Sequence, residues 1–276
     1  MKKIMFFIAA TVVLAAVGCS KNDNAPEEVK FVSELKLVFE GDTRIGYTHD
    51  PSSGLSFEWE EGDMIKVYEE DAVDYDFKQL SYNASLGSFV PIDEDDKLEV
   101  GKKYIAMSSS LGSKTADGLL WGKLSNTATT FDNLPMITDV FTATDETTIA
   151  TMHHILGMIE IPVKAAAEGT TLNLIEVNLY GSSNKISGDY TVTVAAPYTI
   201  TPVGGYNNMS IKNLSKPLST STATSVFIPV FPCSDETIQI DYETTTNANG
   251  VISAITSHTL TVERGKITKI SEQVLQ

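Results

Sequence analysis

Cysteine is nearly absent from this chain: among 276 residues there are two, Cys19 and Cys233. If Cys19 is spent elsewhere, Cys233 has no partner, so no disulfide framework holds the fold. Arginine is as scarce, with Arg44 and Arg264 as the only two against a Lys and Arg total of 20. Histidine offers little more. His153 and His154 are adjacent, which in a strand sends them to opposite faces and keeps them from sharing a metal. His49 and His258 stand alone, with no cysteine at zinc-site spacing. Positive charge as a whole is short: the net charge is −16, and losing a leader charged by Lys2 and Lys3 takes it to −18. Such a surface repels nucleic acid and anionic lipid headgroups, which removes both as partners. No GxSxG, HExxH or phosphate-cradling glycine loop occurs, and no carboxylate pair is singled out among 36 acidic residues. The reading is a chain without catalysis, metal or cofactor. Finally, no long stretch has a 3.6-residue apolar period, so helices are not expected.

What is present begins with the leader. Lys2 and Lys3 precede an apolar run from Ile4 to Val17, too short and one-sided for a membrane span. It closes on Ala16-Val17-Gly18-Cys19, which resembles the bacterial lipobox although Ala16 stands where leucine is preferred. Residues 1–18 are therefore read as a signal peptide and Cys19 as the lipidated residue. Two or three acyl chains on one residue hold a protein stably on a membrane. Residues 19–30 form a polar tether.

Short strands follow. Leu35, Leu37 and Phe39 alternate with Lys36 and the flanking acids before Gly41-Asp42 breaks the run. In Trp59–Tyr68, Gly62-Asp63 makes a turn, with Asp63 expected to bond backbone two residues on. Ile65 and Val67 then face one way and Lys66 the other, with Trp59 capping the core where the strand enters. Leu98–Val100 and Tyr104–Met107 are read as a hairpin around Gly101. Later candidates are Leu172–Tyr180, Ile186–Ala195, Ser225–Val230, Thr237–Tyr242, Val251–Val262 and Ile267–Val274, the last two turning at Arg264-Gly265. Turn signals about every ten residues argue for sandwiches. The expected fold is all-β in two units, 31–165 and 166–276, divided at the composition shift over 164–170.

Other features have plain readings. Cys233, in Phe-Ile-Pro-Val-Phe-Pro-Cys, is read as a buried small hydrophobe. The acidic runs Asp71–Asp76 and Asp93–Asp96 lack EF-hand spacing and read as solvated hairpin tips. The three Asn-x-Ser matches at Asn83, Asn208 and Asn213 are read as coincidence. Trp121 is either core or the aromatic platform of a sugar site.

Taken in order, the leader with Cys19, Thr43-Arg44, Trp59-x-x-Gly62-Asp63-x-Ile65-x-Val67-Tyr68, Met152-His153-His154 and Ile175-x-Val177-x-Leu179-x-Gly181 resemble the fimbrillin family. So do Phe227–Pro232, Ile238-x-Ile240-x-Tyr242 and the closing Val262-Glu-Arg-Gly265-Lys-Ile267. These are lipoprotein pilins and fimbrillin-like surface proteins of Gram-negative bacteria. The resemblance implies two tandem transthyretin-like β-sandwiches, outer-membrane anchoring at the cell surface or in a fimbrium, and a structural or adhesive role. It implies partners too: other pilus subunits joined by donor-strand exchange, and a host or bacterial surface ligand. In the pilins an arginine-specific protease cuts near the first strand, and Arg44 is the position that matches. The alternative at Arg44 is an edge charge that discourages pairing. Little chain follows Val274, so the expectation is a tip or anchor subunit rather than a stalk. The competing expectation is an outer-membrane glycan-binding lipoprotein.

Overall fold

The computed structural model describes residues 29–39, 45–50, 54–71, 76–114, 119–128, 134–144, 147–166, 172–246 and 251–276. Cys19 and Arg44 lie outside the described residues, as does most of the acidic run Asp71–Asp76. The fold class is all-β, as the short-strand pattern predicts, with one 3₁₀ turn among the described residues, at Glu94–Asp96.

In chain order the first strands are β1 (Phe31–Val32), β2 (Leu35–Phe39), β3 (Ile45–Asp50), β4 (Gly54–Phe57), β5 (Met64–Glu69), β6 (Lys78–Asn83), β7 (Ser88–Pro91), β8 (Leu98–Glu99) and β9 (Lys103–Ser108). The middle of the chain supplies β10 (Leu111–Lys114), β11 (Leu119–Leu124), β12 (Thr127–Ala128), β13 (Met136–Thr138), β14 (Phe141–Thr142), β15 (Thr148–His154) and β16 (Gly157–Ala165). The remainder are β17 (Leu172–Gly181), β18 (Ser187–Thr193), β19 (Ile200–Tyr206), β20 (Asn208–Leu218), β21 (Thr224–Val230), β22 (Cys233–Thr246), β23 (Val251–Val262), β24 (Ile267–Lys269) and β25 (Gln273–Leu275).

An eight-stranded sheet, β13-β15-β2-β7-β6-β5-β9-β14, curls until β13 also pairs β9, so it closes on itself like a barrel. Leu35, Ile65, Val67, Leu80, Phe89, Tyr104 and Met152 fill its interior. The other large sheets, β12-β20-β17-β22-β23, β21-β16-β24 and β10-β11-β18-β19, combine the later strands with β10, β11, β12 and β16 from before residue 166 around a second core. Strand pairing crosses residue 165: β16 pairs β21, β24 and β25, and β11 pairs β18.

Some strands are buried on both faces, because the outside of the first sheet is covered by the second half. Ile65 and Val67 of β5 point into the barrel, while Tyr68 joins the C-terminal core. β9 divides likewise, Tyr104 and Ala106 inward, Ile105 and Met107 outward into the other core. Lys66 shares the Tyr68 face, where its Nζ donates to the Leu111 carbonyl at 2.8 Å and sits 5.4 Å from the Phe77 ring. Burial lowers its pKa.

Two local expectations change. Asp63 accepts from the Glu60 backbone N–H at 2.8 Å, three residues back rather than two ahead. Gly62 still supplies the positive φ, +89°, that the turn requires. The Leu98–Met107 hairpin does not form: β8 pairs β1, Val32 opposite Leu98, and β9 goes to β5. Val32 and Leu98 are both almost wholly buried, and sharing that burial outweighs the nearer partner.

Candidate functional site

The first full strand occupies an asymmetric seat. On one side β2 runs parallel to β15 over five residue pairs, from Leu35 opposite Thr148 to Phe39 opposite Met152. On the other it meets β7 at one pair, Leu35 with Phe89. Its burial alternates as its sequence does: Leu35 and Leu37 are inside, Lys36 and Val38 outside. The inward row sets Leu35 by Thr148 and Phe89, Leu37 by Ala150, and Phe39 by Met152. Three apolar knobs two residues apart thus fill pockets that a strand of the same alternation could refill.

Trp59 closes the end of this seat. Its ring lies 5.5 Å from Phe39, 4.8 Å edge-on from Phe89 and 6.5 Å from Tyr82. The expected core cap is therefore where the sequence puts it. At the other end Ser88 Oγ donates to Glu34 Oε2 at 3.0 Å, and the Val100 N–H donates to the Lys30 carbonyl at 2.9 Å.

A second cluster joins the two halves, and sequence reasoning missed it. Asp139 accepts a hydrogen bond from the Tyr198 hydroxyl and one from His153 Nε2 at 3.1 Å. The His153 and Tyr198 rings stack at 5.4 Å. Arg264 lies over the Tyr198 ring at 5.2 Å and donates to the His154 carbonyl at 2.9 Å. The Tyr198 hydroxyl is the largest influence holding the Asp139 carboxyl below its usual range. Nothing local connects Asp139, Tyr198 and Arg264; the one available signal was that Arg264 is one of two arginines.

Glu236 is a further missed residue. It is 1% exposed, and its carboxylate accepts from Ser183 N–H at 2.7 Å, Asn184 N–H at 3.2 Å, Asn184 Nδ2 at 2.6 Å and Ser182 Oγ at 3.2 Å. It pins the turn after β17 onto β22. Such a charge is tolerated because its lone pairs are filled.

The remaining expectations fall as follows. Cys233 is half-buried, and burial pushes its thiol pKa up, away from nucleophilic use. The Asp93–Asp96 tip is a tight turn in which Asp96 accepts from the Gln79 and Asp93 N–H groups. His153 and His154 do sit in one strand, paired with Ile137 and Met136. Among the described residues no cluster of three or more His, Cys, Asp or Glu is placed to hold a metal. Trp121 is 43% exposed on β11, its ring packed over Gly112.

No family model matches the sequence, and no curated protein matches it either. Solved structures do. A candidate cell adhesion protein of Bacteroides ovatus superposes with a TM-score of 0.55 at 15% identity, over 85% of this chain and 98% of that one. One from Bacteroides uniformis gives 0.48 at 13%, over 84% and 98%. A fimbrial protein of Bacteroides vulgatus gives 0.44 at 12%, over 88% and 96%. At such identities the likeness is one of fold, and the Bacteroides ovatus protein carries it.

Proposed function

We propose that this chain is a fimbrillin-like surface lipoprotein, anchored to the outer membrane through lipid on Cys19. It serves as a structural or adhesive subunit, at the tip or anchor of a pilus assembled by strand addition, and performs no catalysis. The observation that carries the reading is the seat of β2: a five-pair ladder on one side, a single pair on the other, and three apolar knobs between. Cleavage at Arg44, five residues past Phe39, frees that strand for replacement by another subunit's. Main-chain bonds supply the affinity and the alternate pockets the selectivity. Arg264 is tied to His154 and Tyr198, and of the two arginines Arg44 is the one for which cleavage is proposed.

The test incubates the full chain with an arginine-specific protease. One N-terminal piece is released, and added peptide of sequence Phe31–Phe39 binds the vacated seat; a gel ladder would turn the reading to a stalk subunit. Cutting at Arg264 instead, or cutting at Arg44 with no peptide uptake, removes strand exchange from the proposal.

A second reading, glycan binding at the outer membrane, rests on the exposure of Trp121. Binding isotherms against a polysaccharide panel decide it, with Trp121→Ala abolishing any signal that belongs there.

A further inference from the structure

The sheet β10-β11-β18-β19 turns one face to the core and the other outward. Leu120, Tyr190 and Val192 are buried on the inner face, and alternating with them Trp121, Lys123, Asp189 and Thr191 point out. Strand pairing sets these four in a square, Trp121 opposite Thr191 and Lys123 opposite Asp189. β19 extends both rows, with Thr201 beside Thr191 and Gly204 beside Asp189.

Two glycines shape this face. At Gly112 on β10 a Cβ would stand 3.0 Å from Cε3 of Trp121, so the missing side chain lets the indole lie close against the strand. At 43% exposure, the rest of the ring meets solvent as a flat apolar platform. At Gly204 the nearest atom to a Cβ would be Asp189 Oδ2 at 3.9 Å, so an open shelf borders that carboxylate. Asp189 is also short of donors. Among the described residues nothing hydrogen-bonds its Oδ1, and Lys123 Nζ stops 4.0 Å away from that oxygen. The carboxylate therefore sits beside the platform with acceptor capacity left over, a state that a ligand donor would relieve.

We propose that this face binds a neutral pyranose sugar, stacked on Trp121 and held through its hydroxyls by Asp189, with Lys123 and Thr191 at the rim. The inference rests on the glycan reading of Trp121 and adds which residues recognise the sugar and which sugars they accept. Chemistry selects the occupant. A pyranose has an apolar C–H face and a rim of adjacent hydroxyl donors. The indole suits the face, and a carboxylate, which only accepts, suits the donors. Trp121 and Asp189 are diagonal neighbours across β11 and β18, about 7–8 Å apart, a separation that one sugar ring spans. An acidic sugar is rejected, because its carboxylate would meet Asp189 on a chain of net charge −16.

The experiment uses the full chain in mild detergent with Trp59→Phe, which leaves Trp121 as the only tryptophan and its emission as the readout. Neutral oligosaccharides of glucose, galactose and mannose are added, each beside its counterpart oxidised to a carboxylate at C6. At least one neutral oligomer shifts the Trp121 emission, and its acidic counterpart binds about tenfold or more weakly. Asp189→Asn keeps the size and removes the charge. It weakens the neutral sugar about tenfold, narrows the gap between neutral and acidic forms, and leaves the melting temperature unchanged. Acidic counterparts that bind as well as the neutral forms, or better, overturn the assignment and leave a platform at Trp121 standing. So does an Asp189→Asn chain that binds the neutral sugar as tightly as its parent. Silence toward every sugar overturns the assignment and the glycan reading together.

Discussion

The ring of Phe39, the last residue of β2, lies 5.5 Å from that of Trp59, which precedes β5. That contact clamps the strand at the end nearer Arg44, where the ladder to β15 finishes at Met152.

Loosening the clamp loosens the strand. Truncating a partly buried phenylalanine costs about 2–3 kcal/mol. Phe39→Ala is therefore expected to speed loss of the N-terminal piece after cleavage by about 30- to 100-fold, at tenfold per 1.4 kcal/mol. Trp59→Phe keeps most of the stacking and deletes an Nε1 that is buried without a partner among the described residues, so its effect stays within about 1 kcal/mol. Release followed by size exclusion measures both; equal rates for Phe39→Ala and the parent would rule out the clamp.

His154 makes stability depend on mild acid. Burial first, and then the Arg264 charge, lower its imidazole from 6.5 to about 4. The unfolded chain takes up a proton near 6.5 that the folded chain refuses until about 4. The stabilisation is complete above 6.5, declines as pH falls toward 4 and levels below, with a slope of at most about 1.4 kcal/mol per unit. Urea unfolding across that interval should show the decline, and His154→Gln should flatten it.

Glu236 acts lower on the scale. Burial alone would raise its carboxyl, but the Ser183 and Asn184 N–H groups outweigh that and hold it below 4.5. Its contribution is present above 4.5 and is lost as pH falls through the depressed folded value. Glu236→Gln turns an amide donor toward other donors, costing about 1–3 kcal/mol near neutrality while flattening the acid limb. Melting curves that keep the same acid limb in the variant would contradict this.

Gly122 and Gly204 give a packing contrast. A Cβ on Gly122 would sit 2.3 Å from Cζ of Tyr190, a buried ring that stacks edge-on with Phe231. Gly122→Ala should cost about 1–3 kcal/mol or more by overpacking. At Gly204 the nearest atom is Asp189 Oδ2 at 3.9 Å, so alanine should fold with nearly unchanged stability. Thermal denaturation of the pair reads the difference directly.

These residues also mark what the sequence could reveal. Leu35, Leu37 and Phe39 were legible because one face of β2 meets the core and the other water, which writes a period of two into the chain. β9 was only partly legible, since both its faces are buried and the alternation vanishes. The turn at Gly101 was visible, but turn chemistry does not name the partner, and Leu98 chose Val32. The cluster of Asp139, Tyr198 and Arg264 was invisible, because a long-range polar contact leaves no periodic trace.

β15 and β16 follow each other with two residues between them, and each takes a parallel companion from far along the chain: β2 for the former, β24 and β25 for the latter. A pull entering at the start of β2 and leaving beyond β25 would load these ladders in shear. The hydrogen bonds would then share the tension together instead of peeling one after another, so resistance to stretching along the chain comes from the order in which the strands lie.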